Sequence, residues 1–134
     1  MGKNLIPPEE SLLDKFSLDE SIKQKLLQYI DTIIEYKNRL NLVGEHNRRE
    51  IIDNLLIPSI ICTQLVDRKT VIDIGSGSGI VGITVKLVNN NVKLIINEKN
   101  LKKIAFIHEV IIKLDISDVI ILPGLLENID DNCL

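Results

Sequence analysis

The sequence has few of the residues that build metal centres, disulfide frameworks or basic nucleic-acid coats. It has two cysteines, Cys62 and Cys133, and they form no Cys-x-x-Cys pair. Two cysteines cannot staple a framework, so both are expected as free thiols in a reducing compartment. The two histidines, His46 and His108, lie far apart with no cysteine near either, and no zinc site is legible. Arginine is scarce: only Arg39, Arg48, Arg49 and Arg68 occur. The net charge is −3, which argues against coating nucleic acid by charge alone. It leaves room for an enzyme that meets RNA through a local patch. No run approaches the ~18 apolar residues of a spanning helix. The start, Met1 to Pro8, has too short an apolar run before its prolines for a signal peptide. Ile6 breaks the pattern for acylation at Gly2. A cytoplasmic protein is expected.

The 134 residues, 45% hydrophobic and 26% charged, fit one domain able to bury a core without staples. Residues 1–17 read as a leader in which Leu12, Leu13 and Phe16 dock as one short turn or helix. From Leu18 to about Leu42, Leu18, Ile22, Leu26, Ile30, Ile33, Ile34 and Leu40 recur near a helical period, and Gly44 suits its stop. A second helix is expected from about Arg48 to Ile57, and Pro58 opens or kinks a third piece, Ser59 to Val66.

The pattern then changes. Thr70 to Ile74 is a β-branched run that ends in glycines, and a helix from Gly79 to Val88 follows. Val92 to Asn97 reads as a second strand, Asn100 to Leu114 as a helix, and Asp118 to Leu122 as a third strand stopped by Pro123-Gly124. Strands alternating with helices predict an α/β fold with a parallel sheet.

The stretch Asp73-Ile74-Gly75-Ser76-Gly77-Ser78-Gly79-Ile80-Val81-Gly82 carries the chemistry. Its glycines let the backbone turn off the strand and approach a ligand with no Cβ in the way. The next helix aims its first amides at the turn. Gly77 to Gly82 spells G-x-G-x-x-G, the dinucleotide fingerprint. The competing frame is Asp73-x-Gly75-x-Gly77-x-Gly79, the glycine motif of S-adenosylmethionine methyltransferases. Three features favour the latter. The strand ends at Ile74, so Gly75 turns the chain. Asp73 puts an acid inside the strand end. A long helical segment precedes the first strand. Glu98 closes the second strand, where a carboxylate can accept both ribose hydroxyls of an adenosine.

From about Leu26 to Glu127 the sequence resembles the RsmG (GidB) family, S-adenosylmethionine-dependent methyltransferases acting on N7 of a guanine in 16S ribosomal RNA. Four segments carry the resemblance: Tyr36 to Leu42, Arg49 to Leu55, Val71 to Gly82, and Glu98 to Ile107. It implies a Rossmann-like parallel sheet, here incomplete with about three strands, behind an N-terminal helical cap. The cap spans 18–68 and the first half of the cofactor-binding domain spans 69–134. Gly75 and Ile80 take the positions where the family touches the cofactor, and Glu98 takes the ribose-acid position. Leu126 and Glu127 take the place of a pair whose backbone borders adenine. Asp73, Gly77 and Gly79 shape the loop, while Lys102 and Lys103 match a basic pair facing RNA. Lys37, Arg39, Arg48 and Arg49 form the best phosphate-facing cluster, diluted by Glu35, Glu45 and Glu50.

The departures are also plain. Tyr36 and Lys37 replace Trp and Asn, Glu50 replaces His, Asn54 replaces Ser, Ile80-Val81 replaces Phe-Pro, and Leu125 replaces Arg. The family continues into further strands that are not in this sequence. A rival reading is therefore a C-terminally truncated, non-catalytic remnant that keeps at most cofactor binding. An NAD-dependent oxidoreductase is a third reading. The implied partner is 16S ribosomal RNA or the small subunit. The first strand, lacking a second neighbour, offers an edge for self-association.

Overall fold

A computed structural model describes residues 9–45 and 47–128. His46, Cys133 and the first eight positions of the leader lie outside the described residues.

Glu9–Phe16 forms a 3-10 helix that buries Leu13. Helix α1, Glu20–Tyr36, buries Leu26, Leu27, Tyr29, Ile30 and Ile33 along one stripe. It is shorter than its apolar pattern predicts at both ends. Ser17 takes a positive φ of 52° just before it. At the far end Arg39 and Leu40 both donate their amides to the carbonyl of Tyr36, which tightens the chain into turns well before Gly44.

The next stretch is one continuous helical run rather than two pieces. Helix α2, Arg48–Ile51, starts at Asn47, whose side chain accepts the amide of Glu50. It passes through a π-helical segment, Ile52–Leu56, into α3, Ile57–Thr63. Pro58 lacks an amide and cannot continue an ordinary helical ladder. The wider π register just ahead of it absorbs the misfit, so the chain does not break.

Strands β1 (Thr70–Ile74), β2 (Lys93–Glu98) and β3 (Val119–Pro123) form one parallel sheet in the order β1-β2-β3. Thr70 pairs with Lys93 and Leu94 with Val119, so the three carboxyl ends lie side by side. Helix α4 (Ile80–Val88) and helix α5 (Leu101–Lys113) make the crossovers. Leu94 and Ile96 share one core with Ile83, Phe106, Ile107 and Val110, and with Leu26, Ile30 and Ile33 of α1. Helices therefore cover one face of the sheet. The opposite face is apolar, and among the described residues it is uncovered: Ile72, Ile74 and Ile120 are exposed around a buried Ile95. Among the described residues, β1 pairs only with β2.

No helix of the described residues is long and apolar enough to cross a membrane.

Candidate cofactor site

Gly75, Gly77 and Gly79 all take positive φ, at 63°, 62° and 78°. Only glycine adopts three such turns in five residues without strain. The chain leaves β1, reverses, and enters α4 with Gly79 as its N-cap. Ser76 anchors the loop sideways: its amide donates to the carbonyl of Asn97 on β2, at 3.2 Å.

Glu98 meets this loop directly. Its Oε2 accepts the amide of Gly77 at 2.9 Å, and its Oε1 accepts the amide of Asn100 at 3.2 Å. The residue is buried, at 6% exposure. A carboxylate offers about four lone-pair positions, so two amides leave acceptor capacity toward a ligand.

Asp73 plays a different part. Its Oδ2 accepts the amide of Gly82 at 3.0 Å and so ties β1 to the first turn of α4. A Cβ on Gly82 would come within 2.9 Å of that same oxygen, so Gly82 must stay bare for the two elements to close. Burial raises the Asp73 carboxyl above its ordinary value. The Gly82 amide opposes that shift, and the nearby Glu98 charge adds to it.

A cavity of about 360 Å³ opens at the carboxyl ends of the strands. That volume lies in the range of small-molecule sites. Its walls are Gly75 and Gly77 from the loop, Asn97 and Glu98 from β2, and Gly124, Leu125 and Glu127 beyond β3. Lys99 and Lys103 stand at its rim. A Cβ on Gly75 would touch nothing within 4 Å, so the backbone there faces open space. The fit to an adenosine cofactor is good: bare backbone, a partly engaged carboxylate and a second acid line one crevice, where open α/β sheets bind their ligands.

The other sequence candidates lie as follows. Ile80 is buried in the core at the start of α4 and does not line the cavity, because the αL cap at Gly79 turns its side chain inward. Asp73 and Gly79 stand behind the lining. Leu126 and Glu127 share a one-turn 3-10 helix, Leu126–Asn128. Lys103 reaches the cavity, and Lys102 is exposed next to it on α5. The proposed phosphate-facing cluster is largely engaged with acids and carbonyls. Arg48 pairs with Glu9 at 3.3 Å and Asp31 at 3.1 Å, and Arg49 lies 3.7 Å from Asp53. Lys37 donates to the carbonyl of Glu45, and Arg39 lies over the Tyr36 ring.

Two residues of the site escape a sequence reading. Asn97 sits in an apolar strand, yet its amide donates to the carbonyls of Leu122 and Gly124 at 3.1 and 3.0 Å. It thereby fixes the wall beyond β3. Tyr29 of α1 donates its hydroxyl to the carbonyl of Ser78 in the glycine loop at 2.5 Å. Its only sequence signal is a polar-tipped ring inside the apolar stripe of α1.

A parallel sheet with a glycine loop after its first strand and an acid closing its second defines the Rossmann-like class of nucleotide-cofactor folds, to which S-adenosylmethionine-dependent methyltransferases belong. Solved structures agree at the level of fold. A Staphylococcus aureus protein assigned as a caffeoyl-CoA O-methyltransferase matches 92% of this chain and 55% of its own, with TM-score 0.56 and 16% identity. A protein-L-isoaspartate O-methyltransferase matches 87% of this chain and 41% of its own, with TM-score 0.52 and 15% identity. Within that class the chain belongs to the family described as rRNA small subunit methyltransferase G, whose profile matches residues 22–133. Relatives named ribosomal RNA small subunit methyltransferase G include that of Mycoplasma capricolum, 32% identical over 87% of this chain and 51% of its own length. That of Dictyoglomus thermophilum is 33% identical over 84% of this chain and 48% of its own. The chain thus spans about half the length of most of these curated relatives. The Mycoplasma mycoides relative is shorter: the 30% identical match covers 87% of this chain and 86% of that protein.

Proposed function

We propose that the cavity at the carboxyl ends of the strands binds S-adenosylmethionine, and that the chain serves methyl transfer to N7 of a guanine in small-subunit ribosomal RNA. The observation that carries the cofactor reading is the bond from the Gly77 amide to Glu98, which joins the glycine loop and the acid into one crevice. When bound, the cofactor supplies an electrophilic methyl group. Glu98 is the acceptor for the ribose hydroxyls. Gly124, Leu125 and Glu127 form the adenine side. Gly75 and Gly77 present bare backbone to the rest of the molecule.

Guanine N7 carries a free lone pair and no proton, so no general base is needed to expose it. The remaining task is to hold N7 in line with the methyl group at about 3 to 3.5 Å. Lys99, Lys102 and Lys103 put positive charge at or beside the rim, where it suits RNA phosphate. A ribosomal substrate fits a cytoplasmic protein. The family membership gives no support to the NAD-dependent reading.

One observation favours a second reading, a chain that binds cofactor without transferring methyl. Among the described residues, the sheet face with Ile72 and Ile74 is uncovered and β1 pairs only with β2. A guanine pocket would need walls on that side. Calorimetric titration with S-adenosylhomocysteine tests the first step, with micromolar binding expected. Methyl transfer to small-subunit RNA then separates the readings. Transfer supports the enzyme, and binding without transfer supports the second reading. Absence of binding by a folded chain overturns both.

A further inference from the structure

The glycine loop is gripped from behind as well as from the front. The peptide joining Ser78 to Gly79 is tied at both ends. Its N–H donates to the carbonyl of Ser76 at 2.9 Å, and its C=O accepts from the hydroxyl of Tyr29 at 2.5 Å. Tyr29 is fully buried and comes from the helical cap, 49 residues earlier in the chain. There is no slack at this point. A Cβ on Gly79 would lie 2.8 Å from Cδ1 of Ile83 and 3.5 Å from the Tyr29 hydroxyl. In front, Glu98 holds the amide of Gly77, two positions back.

The 78–79 peptide turns through ψ of Ser78 and φ of Gly79, and the glycine on one side lowers the resistance to that rotation. Rotating it here would strand the Ser78 carbonyl in the core without a donor, which proteins avoid. We infer that Tyr29 is a positioning residue for the cofactor site, its hydroxyl locking the 78–79 peptide so that the cap preorganises the glycine loop. The inference rests on the cofactor reading above and adds a role for the cap in it. Burial keeps the phenol protonated and therefore a donor. A tyrosine serving only as core filler would be replaced by phenylalanine with no effect confined to the loop.

The test uses the whole chain with Tyr29→Phe, and Ile30→Val as a control on the same helix. Amide hydrogen exchange reads the loop without any ligand. The Gly79 amide is expected to exchange about tenfold faster in Tyr29→Phe, relative to the β2 amides of Ile95 and Ile96. In Ile30→Val, any acceleration follows global stability and leaves that ratio unchanged. Titration with S-adenosylhomocysteine then reads the site, with affinity about tenfold weaker in Tyr29→Phe and unchanged in Ile30→Val. An unchanged exchange ratio in Tyr29→Phe overturns the inference. So does a faster loop with undiminished affinity. If the parent chain itself fails to bind, the cofactor reading fails, the role for that ligand falls with it, and the exchange ratio still reports whether Tyr29 locks the loop.

Discussion

Glu98 accepts one backbone amide on each oxygen, and that fact sets its expected sensitivity. Glutamine can keep only one of the two acceptors and would turn an N–H toward the other donor. Glu98→Gln is therefore expected to weaken S-adenosylhomocysteine binding by at least about tenfold, as calorimetry would register. Asp73 makes a prediction of opposite sign. Burial, the largest cause, raises its carboxyl above the ordinary value of 3.8. The folded chain then holds this proton more tightly than the unfolded chain. Its ionisation therefore removes stability as pH rises from the unfolded value through the raised folded value. Asp73→Asn keeps an oxygen for the Gly82 amide and removes the buried charge. The variant is expected to melt above the parent at pH 7 and to lose that advantage below about pH 4. Thermal melts across that range decide it; a variant less stable at pH 7 would show that the carboxylate is needed as such.

Elements depend on their ends. Helix α5 carries Phe106, Ile107 and Val110 into the core and Lys103 to the rim of the cavity. Its N-cap, Asn100, accepts the amides of Lys102 and Lys103 at 3.0 and 3.1 Å. Asn100→Ala leaves both without that acceptor and is expected to cost ~1 kcal/mol in denaturant unfolding. The backbone amide of Asn100 is itself held by Glu98, so the cap and the carboxylate share one corner. The same variant is expected to weaken S-adenosylhomocysteine binding slightly, and far less than Glu98→Gln. The 48–63 run shows the converse, an element kept whole despite a proline. Ile51, Ile52, Leu56 and Ile60 are all buried in one cluster, and their packing outweighs the lost hydrogen bond at Pro58.

At the scale of the molecule, the described helices cover one sheet face and leave the other uncovered among the described residues. Ile72 is 42% exposed and Ile74 58% exposed, on a strand whose outer edge has no partner among the described residues. Such an edge is a template for another strand. We propose that the chain self-associates through β1 at tens of micromolar. Sedimentation is expected to give more than the monomer mass, and Ile72→Lys is expected to restore the monomer. A parent chain that sediments as a clean monomer would refute this. The layout also explains why the cap matters to the site. α1 packs in the same core as β2, so its Tyr29 arrives behind the glycine loop rather than beside it.

What the sequence determined by itself is local. β1 occupies the predicted Thr70–Ile74, because β-branched residues followed by glycines leave the backbone little choice. The positive φ values of Gly75, Gly77 and Gly79 follow from the same residues. Neighbouring parallel strands bring Glu98 to the loop, which strand order alone predicts. Helix ends were less legible, since they depend on which amides find acceptors, as at Tyr36 and in the π segment before Pro58. What only the tertiary structure decided are the pairings between distant segments. Tyr29 with Ser78, Asn97 with Gly124, and Arg48 with Glu9 and Asp31 are examples. The side chain of Ile80 likewise turns into the core rather than into the cavity. Ile80 buries an apolar side chain in the core, while the polar pairs share another physical reason. A donor or charge takes the partner that folding brings within about 3 Å, and chain order carries no record of that distance.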